Sequence, residues 1–293
     1  MGLDTSALYL SRQAGQALAD LRVALKLSQK AVVALLEEAG LASSQPRVSR
    51  IEKGGLWPTD DELEVMLDAY GADEVKRAQI RTWVQSGRAV GTNWWDQYRD
   101  LLPVHQHATR DVFVCEDAAE RMASYCGGFI PPVLQIEDYA RELMAFGYPG
   151  EAPKTLRRHI DLRVGRGRVL VRDNPLVADL VVSEAALRAQ VGGAEGMRRQ
   201  LQHVLEMTER DNVTLGVVPF NGRYPWTGFV FHVFDFPGLD VLPIGLQDLP
   251  NGTRSTDHPK EVKALRAEFE RMKGAALSPE ESRKIIATAV KEL

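Results

Sequence analysis

The sequence predicts an α+β protein, an all-α domain over residues 1–88 followed by a larger mixed α/β domain over residues 93–293. Three observations carry that prediction. Up to Arg88, apolar residues recur at spacings of three and four between capping residues and glycines, the grammar of short amphipathic helices. Residues 87–93, Gly-Arg-Ala-Val-Gly-Thr-Asn, then break the pattern as a linker. Beyond them, runs rich in β-branched and aromatic residues alternate with helical periodicity, as in a mixed sheet with crossover helices.

Taken in order, Ser6 to Lys26 reads as an amphipathic helix through Leu8, Leu18, Leu21 and Leu25. Ser28 caps a second helix through Val32, Val33, Leu35 and Leu36, which Gly40 ends. Ser44 caps a third, with Pro46 tolerated in the first turn, Val48 and Ile51 facing inward, and Gly54-Gly55 as the stop. Thr59 caps a fourth helix over Leu63, Val65, Met66, Leu67 and Tyr70, closed by Gly71. Asp73 to Arg88 makes a fifth, whose stripe of Ile80, Trp83 and Val84 could face either a second copy of the chain or the larger domain.

In the second domain, Val112 to Val114 and Arg121 to Tyr125 are expected as short strands, and Ile136 to Phe146 and Pro153 to Leu170 as helices. Val177 to Ser183 is an apolar strand entering a short helix at Glu184, and Ala194 to Arg210 is an amphipathic helix. Val213 to Pro219, Phe229 to Phe236 and Val241 to Gln247 read as strands. Pro259 to Lys273 and Pro279 to Leu293 follow as helices.

No stretch approaches the ~18–20 unbroken apolar residues of a membrane span, so no membrane partner is expected. Met1 to Ser11 has no basic segment followed by an apolar core, which argues against secretion. Cys115 and Cys126 lack Cys-x-x-Cys spacing, which argues against a zinc ribbon or a disulfide-stapled fold and favours a reducing cytoplasm. The net charge of −4 conceals an asymmetry: Met1 to Gly55 holds seven Lys/Arg against five acids, leaving −6 on the remainder. A modestly basic head on an acidic body suits DNA binding by the head alone.

The segment Leu21 to Gln29, ending Leu-Ser-Gln, followed by Val48-Ser49-Arg50-Ile51-Glu52-Lys53-Gly54, resembles the helix-turn-helix of the Xre/Cro family of phage-type repressors. The resemblance implies a homodimeric, sequence-specific regulator whose third helix enters the major groove of double-stranded DNA. It makes Gln45 and Arg47, close behind the cap Ser44, the base-edge readers. Gln can bond adenine and Arg guanine bidentately, each worth ~1–3 kcal/mol of discrimination. Gln29 matches the family's phosphate-contacting glutamine, and Lys30, Ser49, Arg50 and Lys53 become further phosphate partners. Arg22 and Glu52 match an ion pair between helices one and three that orients the reader. One departure is visible: Ser28 and Glu52 lie 24 positions apart, roughly five more than the usual family spacing of about 19. Either helix two gains a turn or the turn becomes a loop, and the acidic Glu37-Glu38 pair in the extra segment is expected to face solvent.

From Asn93 onward the chain resembles the C-terminal domain of WhiJ-like regulators of streptomycetes and related actinobacteria. The pieces include Trp95-x-x-Tyr98, Ile130-Pro131-x-Val133-Leu134-Gln135-x-x-x-Tyr139-Ala140, Ser183-Glu184-Ala185-Ala186-Leu187, Asn212-Val213-Thr214-Leu215, Val218-Pro219-Phe220 and Ser278-Pro279-Glu280-Glu281-Ser282. Pro132 stands where the family usually has Gly, and Gln247 where Glu is common. The resemblance implies control of DNA binding, as a repressor for example, by a small partner protein or a small-molecule or peptide effector, in development or secondary metabolism. An alternative is an antitoxin-like protein that sequesters a small partner and autoregulates its own operon.

Gln135, Tyr139, Glu184 and Gln247 are polar groups at motif positions beside strand ends, where they could contact a ligand or brace loops. Phe220, Tyr224, Trp226 and Phe229 form an aromatic-rich loop that could wall a ligand or partner site, or pack the core. His105-x-His107 has no third ligand at matching spacing, so no metal is expected. Gly165-Arg166-Gly167 is too short for a dinucleotide loop, and no nucleophile elbow or Ser/His/Asp set is found. No cofactor and no catalytic activity are expected.

Overall fold

The computed structural model describes residues 7–89, 94–101, 107–222, 229–236, 243–249 and 252–293. It divides into two compact units, Met1–Trp94 and Trp95–Leu293. The first is helical: α1 (Ala7–Ala24), α2 (Gln29–Glu38), α3 (Gln45–Glu52), α4 (Asp60–Ala69) and α5 (Glu74–Ala89). The helix starts follow cap chemistry. Ser28 Oγ accepts the Ala31 amide at 3.1 Å, and Thr59 with Glu62 forms a reciprocal capping box on α4. Ser44 precedes α3 in extended backbone but makes no side-chain cap bond, and Pro46 occupies the first turn. Gly40 and Gly71, past the ends of α2 and α4, take the left-handed conformation that lets the chain turn away.

The core of this unit is one cluster that includes Leu18, Leu36, Val48, Ile51, Leu67, Ile80 and Val84. Ile80 and Val84 are wholly buried in it and Trp83 packs against it, with Lys76 Nζ 5.6 Å from the Trp83 ring centroid. The stripe considered for a dimer surface is therefore spent within its own unit. Helix α5 also runs through Ala89, so the expected linker begins as helix.

The second unit is a mixed α/β layer structure, and the protein is α+β as expected. Its helices are α6 (His107–Ala118), α7 (Glu137–Gly147), α8 (Pro153–Val164), α9 (Glu184–Arg188), α10 (Gly193–Met207), α11 (Pro259–Ala275) and α12 (Pro279–Glu292). Its strands are β1 (Arg121–Cys126), β2 (Val177–Ser183), β3 (Val213–Val218), β4 (Val230–Asp235), β5 (Ile244–Leu249) and β6 (Gly252–Thr256). They form a sheet of order β3-β2-β1-β4-β5-β6. β1, β2 and β3 are parallel, while β4, β5 and β6 continue it antiparallel. Long crossovers supply the parallel half: α7 and α8 link β1 to β2, and α9 and α10 link β2 to β3.

Two expectations are corrected here, and one strand adds to those expected. Val112 to Val114 lies in α6, not in a strand; residues 111–116 are buried at consecutive positions, and a short apolar run of that kind has no period to separate strand from buried helix. The expected helix from Pro153 to Leu170 ends at Val164 and continues as a 3₁₀ segment, Gly165–Leu170. Strand β6, Gly-Thr-Arg-Ser-Thr, escaped notice because an edge strand with no apolar face carries no alternation.

One sheet face packs under α11 through Tyr125, Val181, Phe231, Val233, Leu265 and Phe269. Strand β3 forms one edge. There the Val217 amide donates to Ser282 Oγ at 2.9 Å, and its carbonyl accepts the Leu277 amide at 2.9 Å. Among the described residues no helix is long and apolar enough to cross a membrane.

Candidate nucleic-acid interface

A chain of side-chain bonds fixes the start of α3. Arg22 of α1 donates to Glu52 through Nε at 2.6 Å and Nη2 at 2.8 Å, and through Nη1 to the Leu27 carbonyl at 2.7 Å. Glu52 is buried, and its second oxygen also accepts Gln29 Nε2 at 2.8 Å. Gln29 Oε1 in turn accepts Gln45 Nε2 at 2.6 Å. The expected Arg22–Glu52 pair is thus present, and hydrogen bonding to Glu52 raises the arginine's pKa against the opposing effect of burial. The first residues of α2 and α3 are tied to each other through an anchor at the end of α3. The five additional residues do not disturb this tie: α2 runs ten residues, residues 39–44 form the connection, and Glu37 and Glu38 are exposed.

Backbone contact sets the depth of α3 against α1. A Cβ built on Gly15 would lie 2.4 Å from the Ile51 carbonyl oxygen and 2.7 Å from that of Glu52. Gly54, with a φ of +67°, sits equally close to the Arg12 backbone. Helices α1 and α3 touch there with no side chain between them.

The cations of this unit sort into two sets. Arg47, expected to read a base, forms a bidentate pair with buried Glu62, Nε to Oε1 at 2.5 Å and Nη2 to Oε2 at 2.8 Å. Glu62 also accepts the Thr59 amide at 2.7 Å. One carboxylate therefore caps α4 and holds Arg47. Lys30, Arg50 and Lys53 are exposed and form no ion pair among the described residues. Gln45 and Ser44 are exposed as well, while Gln29 and Ser49 are half-buried. Composition gave no sign that Arg47 had a partner; the Thr59-x-x-Glu62 capping signature was the available clue, since it places a carboxylate at the end of α4 nearest α3.

Hydrogen bonding from Arg47 holds the Glu62 carboxyl below its ordinary value of 4.5, outweighing burial, with Thr59 adding to the effect. A depressed folded pKa gives stability that is complete above the unfolded value and is lost as pH falls through the folded one. The thermal midpoint of the N-terminal unit is therefore expected to fall on acidification below about pH 4.5. Glu62→Gln should be less stable at neutral pH and lose less on acidification. Parallel melting curves for the two proteins between neutral and acid pH check this; coincident slopes would remove Glu62 as the source.

The candidate ligand residues of the second unit do not converge. Gln135 Nε2 donates to the Ile130 carbonyl at 2.6 Å, and Tyr139 Oη accepts the Ile130 amide at 3.1 Å. Both are buried and brace the segment before α7. Glu184 Oε1 accepts Arg188, and Oε2 accepts the Phe220 amide at 3.0 Å. Phe220 and Phe229 are exposed, whereas Tyr224 and Trp226 lie outside the described residues. Gln247 shares the sheet face of Gly245, whose Cβ position points at Leu265 of α11; residues two apart in a strand share a face. Its neighbour Asp248 faces the opposite side. Both cysteines are buried and neither forms a disulfide, and burial pushes the Cys126 thiol up to about 12. Among the described residues no group of His, Cys, Asp and Glu could hold a metal ion.

Comparison with known families gives two matches. Residues 13–80 match a family described as a helix-turn-helix domain, and residues 109–288 match one described as a domain of unknown function, DUF5753. No curated protein and no solved structure matches the chain.

Proposed function

Because the chain belongs to the DUF5753 family and carries a helix-turn-helix domain before it, we propose that it is a sequence-specific transcription regulator of the Xre/Cro type. In this reading α3 enters the major groove. The observation that carries it is the exposed Gln45 at the start of α3, held by Gln29 and, through Glu52, by Arg22. A glutamine fixed at its Nε2 edge on a rigid helix is a preorganised reader of a base edge. Lys30, Arg50 and Lys53, which are exposed and form no ion pair among the described residues, serve the phosphates. Arg47, committed to Glu62, orients the reading helix and leaves base recognition to Gln45.

Two copies on adjacent half-sites, ~34 Å apart, supply the contacts that one such domain lacks. The DUF5753 unit senses a small ligand or partner and alters operator affinity. Footprinting and salt titration of three variants test the division of labour. Gln45→Ala is expected to lose about 1–3 kcal/mol of discrimination at one base pair. Lys53→Ala should weaken all sequences alike and lower the salt slope by roughly one unit. Arg47→Ala should lower stability and weaken all sequences together. Relaxed preference at one base pair in a stable Arg47→Ala protein would restore Arg47 as the reader.

A further inference from the structure

On the sheet face away from α11, the second unit contains a cavity of about 300 Å³, at the small end of the ~300–1,000 Å³ that ligand pockets span. Its described walls come from α6, α7, α8 and strands β4, β5 and β6. Phe113, Met144, Leu162 and Leu249 supply much of their apolar part. The polar groups beside these include Arg163, Arg166, His232 and Asp248.

The two arginines differ in one decisive respect. Arg166 donates three bonds to buried Glu116, at 2.6, 2.9 and 3.1 Å. Burial works against its charge, but the carboxylate beside it raises the guanidinium's pKa on balance. That charge is already matched. Arg163 has no carboxylate at ion-pair distance among the described residues. Its Nε donates to Gln135 Oε1 at 2.9 Å, and its Cζ lies 5.9 Å from the Phe129 ring centroid. Gln135 is itself fixed on the Ile130 carbonyl. The guanidinium is thus held through Nε and packed beside one ring; Arg163 lines the cavity, and among the described residues its two terminal nitrogens have no protein acceptor. Burial pulls its pKa down to about 10, so it remains a cation at neutral pH.

A half-buried cation with no carboxylate in ion-pair contact is a costly arrangement. A fork with two free parallel N–H groups matches a carboxylate bidentately. His232, whose Nδ1 lies 2.8 Å from Ser124 Oγ, is lowered to about 4 by burial and is neutral at physiological pH. It offers a hydrogen bond and no competing charge. Asp248 is the remaining anion; it is exposed and accepts Thr253 Oγ1 at 3.1 Å. It stands beyond ion-pair distance of Arg163 and would repel an entering acid.

We propose that this cavity binds a small organic carboxylate with an apolar body, its carboxylate on the terminal nitrogens of Arg163 and its body among Phe113, Met144 and Leu162. The proposal rests on the sensing role given to this unit above, and names the site and ligand class for it. Gln135 then acts as a positioning residue for the anchor.

Isothermal titration of the full chain tests it, with octanoate and indole-3-acetate as probes and their primary amides as uncharged counterparts. At least one acid is expected to bind with a stoichiometry of one per chain, and its amide roughly tenfold or more weakly. Arg163→Gln should bring the acid down to the level of its amide, with the near-ultraviolet circular dichroism unchanged. Asp248→Asn should tighten binding of the acid. The assignment is overturned if neither acid binds, if amide and acid bind alike, or if Asp248→Asn weakens the acid. Should Arg163→Gln fail to fold, the amide and Asp248→Asn comparisons still decide. Acid binding that leaves DNA affinity unchanged upholds the site and overturns only the sensing role.

Discussion

Gly15→Ala is expected to destabilise the N-terminal unit by about 3 kcal/mol, the top of the range for overpacking a close contact. Intrinsic helix propensity argues the other way, since alanine inside a helix is favoured over glycine by ~1 kcal/mol. The steric effect wins because the new methyl would meet the carbonyl oxygens of Ile51 and Glu52 at 2.4 and 2.7 Å. Backbone cannot rotate aside as a side chain can, so α1 and α3 must part. The end of α3 would shift outward, and DNA affinity should fall together with stability. Peptide-resolved hydrogen exchange on the full chain separates the two units: protection should drop across residues 13–80 and hold in the sheet of the second unit. A gain in stability would show that the helices have room to give.

Arg22→Ala is the second large effect. It leaves Glu52 buried with Gln29 as its remaining side-chain donor, and removing one partner of a buried pair costs about 3–5 kcal/mol. The accompanying loss of the bond to the Leu27 carbonyl loosens the turn into α2. Changing both partners, Arg22→Met with Glu52→Leu, should be milder than the sum of the single changes, because no charge is stranded. Gln45 would still lose its anchor in that double variant. Its stability should therefore recover further than its DNA discrimination. Chemical unfolding alongside binding to operator and scrambled duplexes measures both quantities. Strict additivity of the two substitutions would mean that the pair contributes nothing as a pair.

Many of the helices were legible because their starts are written locally: Ser28 and Thr59 cap the helices expected of them. The Arg22–Glu52 pair followed from family resemblance and recurs in the fold. What escaped notice depends on partners distant in sequence. Arg47 meets Glu62 fifteen residues on, and nothing in the third helix marks that side chain as already engaged. Gln135 was singled out as a ligand contact; it lies next to the cavity's anchor, a relation that arises only when α8 folds back beside it. Arg163 carried no signal of its own, being one arginine of four within Arg157 to Arg166. Gln247 and Asp248 are adjacent in sequence yet serve opposite faces of the sheet, so a motif position alone could not select between them.

The contacts at Val217 bear on how copies of this chain can associate. A free strand edge invites another strand to add to it, the common route to unwanted polymerisation. On β3 both main-chain groups of Val217 are already engaged, by Ser282 Oγ and by the Leu277 amide. The segment leading into α12 thus works as a plug on that side of the sheet. At the far side, β6 is short, polar and carries Arg254 paired with Glu261. Neither margin is a good template for a neighbour, so two copies brought together on adjacent half-sites would not zip up through their sheets.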